Sequence, residues 1–175
     1  MDLAIIPYNH DTDFVRLYPL FRDYHLQVNG GAEEGLITAL IGEKLEAWVE
    51  GLSCRIKVAY NLSTASTIGF IAYYTPDEGH NSAIYVEALY ISPEVRYNGI
   101  TRSFLASFPG VEYIRFALHK SRRESKDKDP MLSGLLNAVK VGEHPTNTRL
   151  EIWQYRIDHS REFGTNKAMT PLKSL

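Results

Sequence analysis

The stretch from Ser82 to Phe108, SAIYVEALYISPEVRYNGITRSFLASF, constrains the fold more than any other part of the chain. Ile84, Val86, Ala88 and Tyr90 alternate with Tyr85, Glu87, Leu89 and Ile91. Both sets carry apolar groups, which predicts a strand buried on two faces. Ser92-Pro93 ends it, because proline offers no ladder donor and disfavours helix at the residue before it. Arg96-Tyr97-Asn98-Gly99-Ile100-Thr101 then turns the chain into a helix that begins near Arg102-Ser103-Phe104-Leu105. Such a loop directs backbone N–H groups outward at a helix N-terminus. The glycine lets an anion approach the backbone, so the geometry predicts a phosphate site. The plainer alternative is a tight strand-to-helix turn with no ligand.

The segment resembles the acetyl-coenzyme A site of the GNAT (Gcn5-related N-acetyltransferase) acyltransferases, as a divergent member. That family carries Arg/Gln-x-x-Gly-x-Gly/Ala between its fourth strand and third helix. The resemblance runs without a gap from Val86 to Leu105, VEALYISPEVRYNGITRSFL. Arg96 and Gly99 fall on the first and fourth motif positions, and Thr101 stands where Gly or Ala is usual.

The order of elements has its own signals along the chain. Leu3 to Ile6 is a short strand ending at Pro7. Asp11-Thr12-Asp13 offers caps for a helix with Phe14, Leu17, Tyr18, Phe21 and Tyr24 at helical spacing. Gly30-Gly31 breaks it, and a second helix spans about Glu33 to Glu50, with Leu36, Ile37, Leu40, Ile41, Leu45 and Trp48 on one stripe. That stripe suits core packing; the alternative is a surface for a partner. Strands follow at Cys54–Tyr60 and Thr67–Tyr74, divided by a turn over Asn61–Ser66. After the helix near Phe104, stopped by Pro109-Gly110, come a strand Val111–Leu118, a charged loop Lys120–Pro130, a helix Met131–Val141 with Val139 inward, a short strand near His144–Asn147 and a last strand Leu150–Ile157. This is also the GNAT order. The expected fold is α/β (α+β), a mixed, mostly antiparallel sheet flanked by helices, in one domain over residues 1–157. Residues 158–175 form a polar tail. Its plain reading is an adhering or floppy terminus; the sharper one is an arm gripping a second copy or an assembly partner.

Composition bounds the function classes. A formal net charge of −2 over 175 residues gives no general attraction to nucleic acid or anionic membrane. Lys120-Ser121-Arg122-Arg123 is locally basic but diluted by acids and lacks interleaved aromatics. It is a solvated loop, a phosphate contact, or a reach toward the 3′-phosphate of coenzyme A. The six histidines are scattered without metal-ligand spacing. The single cysteine, Cys54, permits no intrachain disulfide and suits a buried structural role in a reducing, cytoplasmic compartment. MDLAIIPYNHD has neither the basic start nor the apolar length of a signal peptide, and no run reaches transmembrane length.

The resemblance implies acetyl-coenzyme A as co-substrate and a small-molecule or protein amine as acceptor. It places backbone groups at Leu89, Tyr90 and Ile91 along the pantetheine arm, and amides from Arg96 through Tyr97, Asn98, Gly99, Ile100 and Thr101 around the pyrophosphate. Arg102 reinforces that charge or is simply solvated. Glu87 falls where relatives often carry Glu, as base, water relay or substrate-orienting group. Tyr85, two residues back, is a second catalytic candidate or a packed aromatic. A Tyr that often protonates the thiolate, four residues before Gly-Phe, aligns with Ala138, and Gly142 is followed by Glu143. Tyr155, His119 and Ser133 are the substitutes. Two function classes follow: an N-acyltransferase, or a catalytically degenerate binding or structural subunit on the same fold.

Overall fold

A computed structural model describes residues 2–29, 35–36, 38–39, 41–44, 54–75, 83–96, 99–119 and 138–157. The elements are β1 (Leu3–Pro7), α1 (His10–Asn29), β2 (Cys54–Asn61), β3 (Ser66–Tyr74), β4 (Ala83–Ile91), α2 (Ile100–Ala106), β5 (Tyr113–His119), β6 (Val139–Glu143) and β7 (Leu150–Arg156). Residues 35–36, 38–39 and 41–44 are also helical, within the second helix read from the apolar stripe. The strands form one seven-stranded sheet in the order β1-β2-β3-β4-β5-β7-β6, so β4 is central. Only the β4–β5 pairing is parallel among the described strands.

Helix α1 starts one residue before the acidic run expected to cap it. The cap is Asn9, whose Oδ1 accepts from the Asp11 amide at 3.0 Å. The Asn9 amide in turn donates to Asp13 Oδ2 at 2.9 Å, so the two residues tie off the first turn reciprocally.

Side chains of β3 alternate between two cores, as a strand buried on both faces must. Ile71 and Tyr73 pack with Phe104 and Leu105 of α2, and with Ile114 and Phe116 of β5. Phe70 and Ala72 pack with Leu17, Leu20 and Phe21 of α1 and with Ile41. Phe21 stacks on Phe70 with centroids 4.4 Å apart. Lys57 of β2 anchors the C-terminal end of α2. Its Nζ donates to the Ser107 carbonyl and, at 3.1 Å, to Ser107 Oγ, and lies 4.1 Å from the Phe108 ring centroid. Burial lowers the pKa of this lysine.

Gly69 holds β3 close to β4. A Cβ there would lie 2.8 Å from the Tyr90 carbonyl oxygen, a rigid backbone atom. Gly69→Ala should therefore lower stability by about 1–3 kcal/mol through overpacking. A urea unfolding midpoint equal to that of the parent would contradict this close approach.

The C-terminal region departs from the sequence-based expectation. Residues 139–143 are the strand β6, not the end of a helix, and Val139 is 58% exposed rather than inward. The run Val139-Lys140-Val141 has the β-branched alternation of a strand, and β7 supplies its antiparallel partner. Lys140 Nζ bonds Glu143 at 2.7 Å and the buried Glu151 of β7 at 2.8 Å, fixing the pair across the hairpin. The segment expected as a strand at His144–Asn147 is the hairpin turn. His144 Nδ1 accepts from the amides of Thr146 and Asn147 there. The expected helix over residues 131–137, the charged loop 120–130 and the tail 158–175 lie outside the described residues. Among the described residues no helix is long and apolar enough to cross a membrane.

Candidate functional site

Strand β4 forks from β5 in its middle. The parallel pairing runs from Ala83↔Tyr113 to Val86↔Phe116 and stops. On the other side, Val86 opposes Tyr73 and Ala88 opposes Ala72, which leaves Glu87 as an extra, bulged residue. A bulge bends its strand and increases local twist, so it explains why β4 leaves β5 at this point. It also switches faces. Ile84 and Val86 belong to the α2-side core, whereas Ala88 and Tyr90 belong to the α1-side core. Glu87 and Leu89 therefore do not share the face that simple alternation predicts: Leu89 packs against the α2-side core, while Glu87 reaches Lys44 near α1. Among the described residues, β4 has no strand partner on its β5 side beyond Val86.

The chain leaves β4 through a 3₁₀ turn, Pro93–Val95, preceded by buried Ser92, whose amide donates to the Ile68 carbonyl at 2.9 Å. Arg96 is committed to this turn. Its amide bonds the Pro93 carbonyl at 3.4 Å. Its guanidinium donates to the Ile91 carbonyl at 3.1 Å and to Gln27 Oε1 at 3.2 Å. It therefore staples the loop to the end of β4 and to α1, and its own amide is not part of an open nest. Tyr97 and Asn98 lie outside the described residues.

Gly99 is the N-cap of α2, in the left-handed region at φ 76, with no side-chain cap on the helix. This conformation favours glycine. The first-turn amides of α2, from Ile100, Thr101 and Arg102, point out of the helix end as in any helix. The Ile100 side chain is buried in the core, Thr101 is half-buried and Arg102 is exposed. A Cβ at Gly99 would meet nothing within 4 Å among the described residues. The fork and the helix end with no side-chain cap lie in sequence along Glu87–Arg102.

Glu87 and Tyr85 flank the fork on the α1 side. Glu87 is 30% exposed, and its Oε1 lies 3.3 Å from Lys44 Nζ. Tyr85 is half-buried, with its ring 6.4 Å from that of Tyr74. Burial and then the Glu87 charge raise the pKa of Tyr85. The same causes in the same order push Tyr74 up to about 12. Both are thus neutral phenols, able to donate a proton. Buried His25 has its pKa lowered by burial and by Lys44, so it is neutral near pH 7. Burial raises Cys54 to about 11, which keeps it a thiol and makes it a poor nucleophile, in line with a structural role. Tyr90 is fully engaged in the α1-side core, with its hydroxyl 3.5 Å from Asp23 Oδ2.

The alignment that set Ala138 at the acid position does not hold. Gly142 is inside β6 rather than beyond a helix, and Ala138 packs against the α2-side core. No tyrosine stands between Tyr113 and Tyr155 in any register. Tyr155 packs against the α2-side core, across the sheet from Glu87. Ser133 lies outside the described residues, and His119 closes β5. Sequence reasoning missed Lys44, His25 and Tyr74. Lys44 had a signal: it stands three residues after Ile41, on the sheet-facing side of that helix, where a cation is unusual. Among the described residues no cluster could hold a metal ion.

No family model matches the chain, and no curated protein matches it. Solved structures do. An acetyltransferase from Thermus thermophilus superposes with a TM-score of 0.62 at 13% identity, covering 90% of this chain and 98% of that one. The PaiA N-acetyltransferase from Thermoplasma acidophilum, solved with coenzyme A, gives 0.62 at 16% identity over 90% of this chain and 100% of that one. A GCN5-related N-acetyltransferase from Kribbella flavida gives 0.53 at 17%, over 89% and 98%. Identities this low speak to architecture and not to activity. The seven-stranded sheet, its central forked strand and the helix that follows it are the GNAT acetyltransferase fold.

Proposed function

We propose that the protein is an acetyl-coenzyme A-dependent N-acyltransferase whose acceptor is an amine of a small molecule or a protein. The observation that carries this reading is the coincidence, at one residue, of the Glu87 bulge with the end of β4–β5 pairing. It puts backbone groups with no described strand partner beside a carboxylate, directly upstream of a helix end with no side-chain cap. Coenzyme A, when bound, supplies the activated acetyl group. Backbone groups at Leu89 would hold the pantetheine, and the amides of Gly99, Ile100 and Thr101 the pyrophosphate. Arg96 holds the loop in shape rather than contacting phosphate. Glu87 takes a proton from the acceptor ammonium, directly or through water, and the neutral amine then attacks. Tyr85, a neutral phenol on the same side of the fork, is the available proton donor for the departing thiolate.

A second reading, a binding subunit without turnover, draws on Thr101, on the absence of tyrosine between Tyr113 and Tyr155, and on the occupation of Glu87 by Lys44. Thermal unfolding with acetyl-coenzyme A tests the first step common to both. A ligand at about 100 times its dissociation constant stabilises by about 2.7 kcal/mol. The melting temperature should rise with acetyl-coenzyme A and not with an equal concentration of acetate. No rise at millimolar ligand would overturn the coenzyme A assignment. A rise without turnover on any of a broad amine panel would select the second reading.

A further inference from the structure

We infer that Lys44 is an acetyl acceptor of this protein itself: the acyltransferase site proposed above would modify the lysine already seated on Glu87. The inference rests on that reading and adds a modification site to it. Lys44 Nζ lies 3.3 Å from Glu87 Oε1, and Glu87 is the bulged residue at the fork of β4. The two come from elements 43 positions apart in sequence, so tertiary structure and not a local turn brings the amine there. Lys44 also acts electrostatically on His25 and Cys54, and Glu87 on Cys54, Tyr74 and Tyr85. These side chains thus form one neighbourhood on the α1 side of the fork. An external acceptor must bring a cationic amine to this carboxylate, and Lys44 already does. Lys44 is 47% exposed.

The step is balanced by groups in place. The Nζ nitrogen loses a proton to the Glu87 carboxylate and forms a bond to the thioester carbonyl carbon. The carbon–sulfur bond breaks, the nitrogen gives up its second proton as the amide forms, and the thiolate takes up that proton through Tyr85 to leave as coenzyme A, while the proton on Glu87 passes to solvent. The products are Nε-acetyllysine at position 44 and the free thiol. Acetylation removes the positive charge and with it the ion pair to Glu87.

The test uses the full chain in three arms. In the first, the protein is incubated with acetyl-coenzyme A, and intact mass and peptide mapping follow the lysines. Lys44 should gain one acetyl group at a rate independent of protein concentration. It should outpace Lys140, an exposed lysine equally paired with carboxylates on β6, by at least about tenfold, a modest part of what held reactants can gain. In the second, acetic anhydride labels the lysines with and without coenzyme A, which cannot donate an acetyl group. Bound coenzyme A should protect Lys44 and leave Lys140 unchanged. In the third, Lys44→Arg should abolish the modification while keeping the melting shift with acetyl-coenzyme A. A melting shift with Lys44 labelled no faster than Lys140, or unprotected by coenzyme A, overturns this inference and leaves the coenzyme A reading standing. No melting shift in the parent protein overturns both.

Discussion

Glu87→Gln should lower kcat by roughly 10²–10⁴-fold, the range for removal of a positioned general base. The substitution keeps the shape and one acceptor oxygen but cannot take a proton. The dissociation constant of acetyl-coenzyme A should hardly change, since Glu87 stands on the α1 side of β4 and not at the α2 loop. Stability should change little as well. The ion pair lost with Lys44 is partly exposed, and such pairs contribute about 0–1 kcal/mol. That combination separates a base from a packing residue, which would show up in the unfolding midpoint first. The loss should also shrink as pH rises, because an acceptor amine already neutral no longer needs a base. Full activity of the glutamine variant at neutral pH would remove Glu87 from the chemistry and turn attention to Tyr85 or a backbone-held water.

The region from β1 to β5 was legible in the sequence because each element there carries a local signal. Pro7, the turn Leu62–Ala65, Ser92-Pro93 and Pro109-Gly110 punctuate it, and β4 carries apolar groups on both faces. The internal place of β4 followed from its two apolar faces. What did not follow was the bulge. One extra residue at Glu87 leaves no mark in the alternation, because Ile84, Val86, Ala88 and Tyr90 are all apolar and satisfy either core. Only the register against β3 shows the switch, so grouping Glu87 with Leu89 was a natural error. The Val139–Glu143 segment failed for a different reason. Leu132, Leu135, Leu136 and Val139 share a helical spacing that runs past the point where two valines flanking Lys140 change the period. The pairing with β7 that decides it is made from the far side of a turn. The Lys44–Glu87 contact was invisible as a pair for the same reason: no local rule links residues on a helix and a distant strand.

Gly99→Val should weaken coenzyme A binding by two independent routes. The left-handed conformation at φ 76 costs a non-glycine residue about 1–2 kcal/mol, and a β-branched residue the most. Strain of that size alone lowers the population of the binding loop by about five- to thirtyfold. The second route is steric. The Cβ position at Gly99 faces open space among the described residues, so the valine methyl groups would fill the volume through which a phosphate approaches the first-turn amides of α2. Together they should reduce calorimetric affinity by about a hundredfold or more. The fold should tolerate the added volume, because nothing described lies within reach of it. Gly99→Asn separates the routes, since asparagine enters the left-handed region at little cost yet still carries a side chain. If the asparagine variant binds as weakly as the valine one, the ligand passes directly over the residue. If it binds nearly as well as the parent, conformation is the main requirement. Unchanged affinity in Gly99→Val would show that coenzyme A, wherever it binds, does not lie on this loop.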